Sequence, residues 1–92
     1  MDSVIVGIDV SKDRLDVHLL PAGEAFAVAR DSDGVTALAE RLKALRPQMI
    51  GIEATGGFET VVAAGLAAAD LPVAVVNPAQ VRAFAQALGR RA

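Results

Sequence analysis

Gly7-Ile8-Asp9-Val10-Ser11-Lys12 is an apolar, β-branched run that carries one carboxylate, and a second such run, Met49-Ile50-Gly51-Ile52, leads directly into Glu53. An acid set in an apolar strand is costly unless a cation compensates it. Two of them, each close to a glycine, point to a shared metal ion. Asp9 and Glu53 are therefore the candidate catalytic and metal-binding residues, and divalent-metal phosphoryl chemistry is the leading function class.

Working outward from the first run, Ser3 to Val10 has apolar residues on both faces and reads as a central strand covered on both sides, with Asp9 on the face of Ile5 and Gly7. Ser11-Lys12-Asp13 makes a polar turn. Leu15, Val17 and Leu19 then alternate with Asp16, His18 and Leu20, which predicts a second strand in a hairpin with the first, closed by Pro21-Ala22-Gly23. Ala25 to Arg30 is a third, weaker strand. Asp31-Ser32-Asp33 offers N-caps for a helix whose apolar positions Val35, Leu38, Ala39, Leu42 and Leu45 follow the helical period, and Pro47 stops it.

From Gln48 the rhythm changes. A short buried strand to Glu53, a tight turn at Thr55-Gly56-Gly57, a helix from Phe58 to Ala69 with Phe58, Val61, Val62 and Leu66 inward, and a buried strand from Val73 to Val76 make a βαβ unit. Its strands should be parallel and its crossover right-handed, which puts Glu53 at the carboxyl end of a strand, where open α/β sheets place their sites. Asn77-Pro78 supplies an N-cap and an N1 proline for a last helix with Val81, Phe84, Ala85 and Leu88 on one face and Gly89 beyond its end. Three antiparallel strands, a helix, then parallel β-α-β is the order of an α/β, ribonuclease H-like mixed sheet. There the first and fourth strands lie side by side, so the separation of Asp9 and Glu53 in sequence does not keep them apart in space.

The bulk properties agree with one domain over residues 1–92. Hydrophobic residues make up 53% of the chain and its only aromatics are three Phe, which suits aliphatic strands under alanine-rich helices. A chain this size buries roughly 60 to 65% of its unfolded surface, so its own core is thin. There is no cysteine, hence no disulfide and no thiolate metal site. Hard oxygen ligands without His or Cys suit Mg²⁺, with Mn²⁺ as a substitute. No apolar stretch approaches the ~20 residues that span a bilayer, and no basic segment precedes an apolar one at the amino terminus, so a cytoplasmic protein is expected. All eleven Asp and Glu lie at or before Asp70, whereas Arg82, Arg90 and Arg91 fall in a terminal stretch with no acid. That basic element, together with Lys12 in the hairpin turn, is the candidate nucleic-acid contact. Cations near a helix C-terminus are also favoured by the macrodipole, and a turn lysine is commonly only solvated.

Three blocks in order carry a resemblance: Gly7-Ile8-Asp9-Val10-Ser11-Lys12 with Leu15-Asp16-Val17; Ile52-Glu53-Ala54-Thr55-Gly56-Gly57-Phe58-Glu59; and Val76-Asn77-Pro78-Ala79-Gln80-Val81-Arg82-Ala83-Phe84-Ala85. Together they resemble the amino-terminal catalytic domain of the DEDD transposases of bacterial insertion sequences, a group that includes the pilin-gene inverting recombinases. The resemblance implies a RuvC-like, Mg²⁺-dependent domain acting on DNA in transposition and site-specific recombination. Of its four acids the first matches Asp9 and the second Glu53. The other two, and a separate domain with a nucleophilic serine, would follow Ala92, so the chain is expected to be an amino-terminal fragment, inactive alone. A structured guide RNA serves some members of the family. A homo-oligomer is expected, because the Val81, Phe84 and Leu88 face would otherwise lie bare.

Other readings remain open. Asp9 could be a turn-proximal acid, and Glu53 could serve the next helix N-terminus, which attracts carboxylates. Asp16 shares a face with His18 and reads as a solvated edge pair. Thr55-Gly56-Gly57 resembles a phosphate-cradling turn, without the spacing of a Walker motif. Gly-Ile-Asp-Val-Ser before a hairpin also resembles the first phosphate loop of actin-like ATPases and sugar kinases, with Ser11 where glycine is usual. A non-catalytic nucleic-acid-binding module is the third reading.

Overall fold

The structure, a computed structural model, describes residues 3–53 and 56–76. Within them the chain runs β1 (Ile5–Val10), β2 (Arg14–Leu20), β3 (Glu24–Ala29), α1 (Ser32–Leu45), β4 (Met49–Glu53), α2 (Glu59–Ala68) and β5 (Val73–Val76). The five strands form one sheet in the order β3-β2-β1-β4-β5. β2 is antiparallel to β1 and to β3, while β4 is parallel to β1 and to β5. The ribonuclease H-like order expected from the sequence is the one observed, with β1 and β4 adjacent at the centre.

Alternation decides what the sheet buries. Val6, Ile8 and Val10 of β1, Leu15, Val17 and Leu19 of β2, and Ile50 and Ile52 of β4 point to one face and meet Val35, Leu38 and Leu42 of α1 and Val62 and Leu66 of α2. Each such side chain taken out of water is worth about 1.5–3 kcal/mol. The opposite residues of β1 are different: Ile5 and Gly7 are half-buried and Asp9 is exposed. Among the described residues β1 is thus fully covered on one face only, where the sequence reading has a strand buried on both sides. The reason is that both described helices pack on the same face of the sheet. The predicted helix after Asn77-Pro78 lies outside the described residues.

Local chemistry sets the ends of α1. The Asp31 carboxylate, at the N-cap, accepts a hydrogen bond from the Gly34 amide at 2.7 Å, and Arg46 closes the helix in the left-handed conformation just before Pro47. Arg41 then pins the helix to the edge strand. Its guanidinium lies 3.7 Å from the centroid of Phe26 and 3.2 Å from the Glu24 carboxylate. Leu45, assigned inward by its period, is 36% exposed at the last residue of the helix.

α2 shows a larger departure. Only Val62 and Leu66 are buried, an i, i+4 pair, while Phe58 and Val61 are 40% and 60% exposed. A ten-residue helix rich in Ala has no sharp apolar stripe, so its rotation is set by what it packs on. It packs on β4 and β5 and against α1. A Cβ on Gly65 would meet Val35 Cγ1 at 2.7 Å, so glycine lets the two helices close. Val35 is β-branched and stiff at χ1 in a helix, so it cannot swing aside cheaply. Gly65→Ala is expected to lower stability by about 1 kcal/mol, overpacking of about 2 kcal/mol exceeding the ~1 kcal/mol gained in helix propensity. Chemical denaturation shows the sign, and a more stable variant would mean the helices are not in close contact there. β5, read as buried, has Val75 50% exposed, since it is the edge strand of the described sheet.

Candidate active site

Asp9 and Glu53 stand at the carboxyl ends of neighbouring parallel strands. The β1–β4 register runs from Ile5 opposite Met49 through Gly7 opposite Gly51 to Ile8 opposite Ile52, and Asp9 and Glu53 are the next residue on each strand. Both have the parity of the Gly7–Gly51 pair, so they project from the same face, the one away from α1 and α2. Adjacent strands lie about 4.8 Å apart, close enough for carboxylates at one level to share an ion or an ion pair.

The hairpin adds an acid that the sequence reading set aside. Asp16 is the direct cross-strand partner of Asp9, so the two carboxylates leave the same face of the sheet side by side. Asp16 is not on an edge strand, as its pairing with His18 suggested, because β3 covers the outer side of β2. The signal was in the hairpin, since a turn centred between Lys12 and Asp13 pairs Val10 with Leu15 and so sets 9 against 16. Like charges directly opposite are unfavourable. Arg14 relieves one of them, its guanidinium lying 3.3 Å from an Asp16 oxygen. The Asp9 side chain makes no hydrogen bond or ion pair with a described residue.

The loops at this end are tightly drawn. In the β1–β2 turn the Ser11 amide and hydroxyl both donate to the Arg14 carbonyl at 2.9 Å. Lys12 is exposed, and its carbonyl accepts from Arg30 Nε at 2.7 Å. Beyond Glu53, Gly56 and Gly57 take positive φ values of 67° and 105°, the backbone that favours glycine, and lead into Phe58. No side chain caps α2 at Phe58, and the Gly57 amide donates to the Glu59 carboxylate at 3.0 Å. Thr55, Arg82, Arg90 and Arg91 lie outside the described residues.

The donor set fits a hard divalent cation in part. Asp9 and Glu53 place carboxylates at one strand-end level, Asp9 with no counter-ion among the described residues, which is the chemistry Mg²⁺ takes alongside water and phosphate oxygens. Among the described residues no three His, Cys, Asp or Glu side chains are grouped closely enough to hold a metal by themselves. Any ion held here would need further ligands. No helix among the described residues is long and apolar enough to cross a membrane.

Comparison with known proteins places this geometry. No curated protein matches the chain. Among solved structures, the chain is similar to Thermus thermophilus RuvC in complex with a Holliday junction substrate, at a TM-score of 0.59 and 19% identity over 94% of this chain and 71% of that one. YeaZ from Pseudomonas aeruginosa matches at a TM-score of 0.47 and 23% identity, over 94% of this chain and 50% of that one. The RuvC likeness shows the α/β, ribonuclease H-like fold. The sequence model of the IS110-type DEDD transposases matches residues 6–92, nearly the whole chain, and the chain belongs to that transposase family.

Proposed function

We propose that this chain is the first part of a transposase or recombinase catalytic domain that breaks and rejoins DNA phosphodiesters with divalent-metal assistance. The observation that carries the proposal is the placement of Asp9, a carboxylate without a protein counter-ion among the described residues, beside Glu53 on the adjacent strand end. Asp9 and Glu53 would hold the cation, Mg²⁺ or Mn²⁺. Such an ion supplies charge neutralisation at the phosphoryl oxygens and a more acidic bound water. The residues' own part is to hold their oxygens at one level on a rigid sheet, which fixes where a phosphate can approach. Lys12 in the exposed turn, with Arg82, Arg90 and Arg91 downstream, would contact the DNA backbone. The Holliday-junction substrate of the RuvC neighbour supports DNA as the partner by analogy of fold.

The same reading extends to the whole protein. Two further acids and a serine-bearing domain would follow these residues, the protein would act in the cytoplasm as a homo-oligomer, and a structured guide RNA, which serves some members of the family, is a candidate partner. The 92 residues alone would not cleave DNA. The test is strand cleavage and joining by the full-length protein on DNA carrying its element ends, with and without chelator. Activity lost to EDTA and restored by Mg²⁺ or Mn²⁺ supports the reading. Activity indifferent to chelation removes it.

A further inference from the structure

Arg30, at the end of β3, touches the loops that follow both candidate ligand strands. Its main-chain amide donates to the Asp13 carbonyl at 3.0 Å and its Nε to the Lys12 carbonyl at 2.7 Å, so it grips the turn that leaves Asp9. Its guanidinium carbon also lies 4.9 Å from the centroid of the Phe58 ring, at the head of α2 beyond Glu53. Between Glu53 and Phe58 stands Gly56-Gly57, a stretch with little intrinsic stiffness. Phe58 is the N-cap residue of α2, makes no side-chain cap hydrogen bond and is 40% exposed, so burial alone does not fix it. We infer that Arg30 is a positioning residue: it brackets the β1–β2 turn to the head of α2 and thereby holds the Asp9 and Glu53 strand ends at a common level. This rests on the metal-dependent function proposed above.

Arginine suits the role for a physical reason. Nε–H donates in the guanidinium plane, while the face of that plane stays free to lie over a ring. Lysine offers a point charge on a flexible stem and cannot do both at fixed geometry. A residue that merely stabilises the fold would be felt throughout the protein. A bracket is felt in two loops and at the site between them.

The experiment uses the full-length protein and the variants Arg30→Ala, Arg30→Lys and Phe58→Leu, with amide hydrogen exchange read beside Mg²⁺-dependent strand cleavage. Arg30→Ala and Arg30→Lys should speed exchange at the Ser11 and Gly57 amides while leaving the Ile8 and Val17 amides unchanged. Both should raise the Mg²⁺ concentration for half-maximal cleavage by about tenfold, as loss of support behind metal ligands does. Phe58→Leu keeps an apolar side chain and the Arg30–Lys12 hydrogen bond, so it should loosen Gly57 but not Ser11. This covers the case in which Arg30 variants fold poorly. The inference is overturned if exchange rises equally at Ile8 and Val17, if Arg30→Lys behaves as the native protein, or if the Mg²⁺ requirement does not move. Native protein that cleaves without metal, alongside loosened Ser11 and Gly57 in the Arg30 variants, would instead sink the metal-dependent function and leave the bracket standing.

Discussion

Asp9→Asn in the full-length protein is expected to reduce DNA strand cleavage by roughly three orders of magnitude while leaving the fold intact or slightly more stable. Under the proposed function the change would remove a charged ligand oxygen from a site whose metal would contribute several kcal/mol at the transition state, each 1.36 kcal/mol being about tenfold in rate. The gain in stability follows from the sheet. Asp9 faces Asp16 directly across the β1–β2 pair and finds no cation among the described residues, so neutralising it removes a repulsion worth about 0.2–1 kcal/mol. Loss of activity together with a raised melting temperature is the signature of a residue kept for function at the expense of stability. Cleavage rates and thermal unfolding on the same preparation check both halves. A variant that cleaves at the native rate would make Asp9 a turn-side acid and nothing more.

Gly34→Ala is expected to have the largest effect on the fold. In an ordinary helix this change stabilises by up to about 1 kcal/mol. Here a Cβ would fall on the Ala29 carbonyl oxygen, with the Ala29 carbonyl carbon 2.9 Å away, because the first turn of α1 is drawn onto the end of β3. Both obstructing atoms are backbone, so no side chain can turn aside. The helix would have to back off, straining the Asp31 cap on the Gly34 amide and shifting Arg30 from the Lys12 carbonyl. A cost of at least about 3 kcal/mol is expected, a large share of the ~5–15 kcal/mol that holds a domain together. At roughly 4–8 °C per kcal/mol for a domain of this size, thermal unfolding should begin well over 10 °C lower. A variant as stable as the native protein would show that α1 does not approach β3 so closely.

How far the sequence reached is clearest residue by residue. Short-range physics determined the elements: alternation at Leu15, Val17 and Leu19 gave β2, Asp31 started α1, Pro47 ended it, and the βαβ order made β4 and β5 parallel. Asp9 and Glu53 stood out because a carboxylate in an apolar run is anomalous wherever the run folds. These features are legible locally because period, capping and desolvation act over a few residues.

The tertiary structure alone decided the rest, because register and rotation are settled by contacts between segments distant in the chain. It turned Phe58 and Val61 outward once α2 was seated on β4, β5 and α1, with Gly65 against Val35, and among the described residues it left one face of β1 half-covered by placing α1 and α2 on the other. It set Asp16 beside Asp9 on an interior strand, where a reading of β2 by itself saw only a solvated pair with His18. Arg30 had no local mark at all. A lone arginine after a weak strand acquires meaning only when β3 pairs with β2 and brings it to the Lys12 carbonyl and the Phe58 ring, contacts 18 and 28 residues away along the chain that no periodicity encodes.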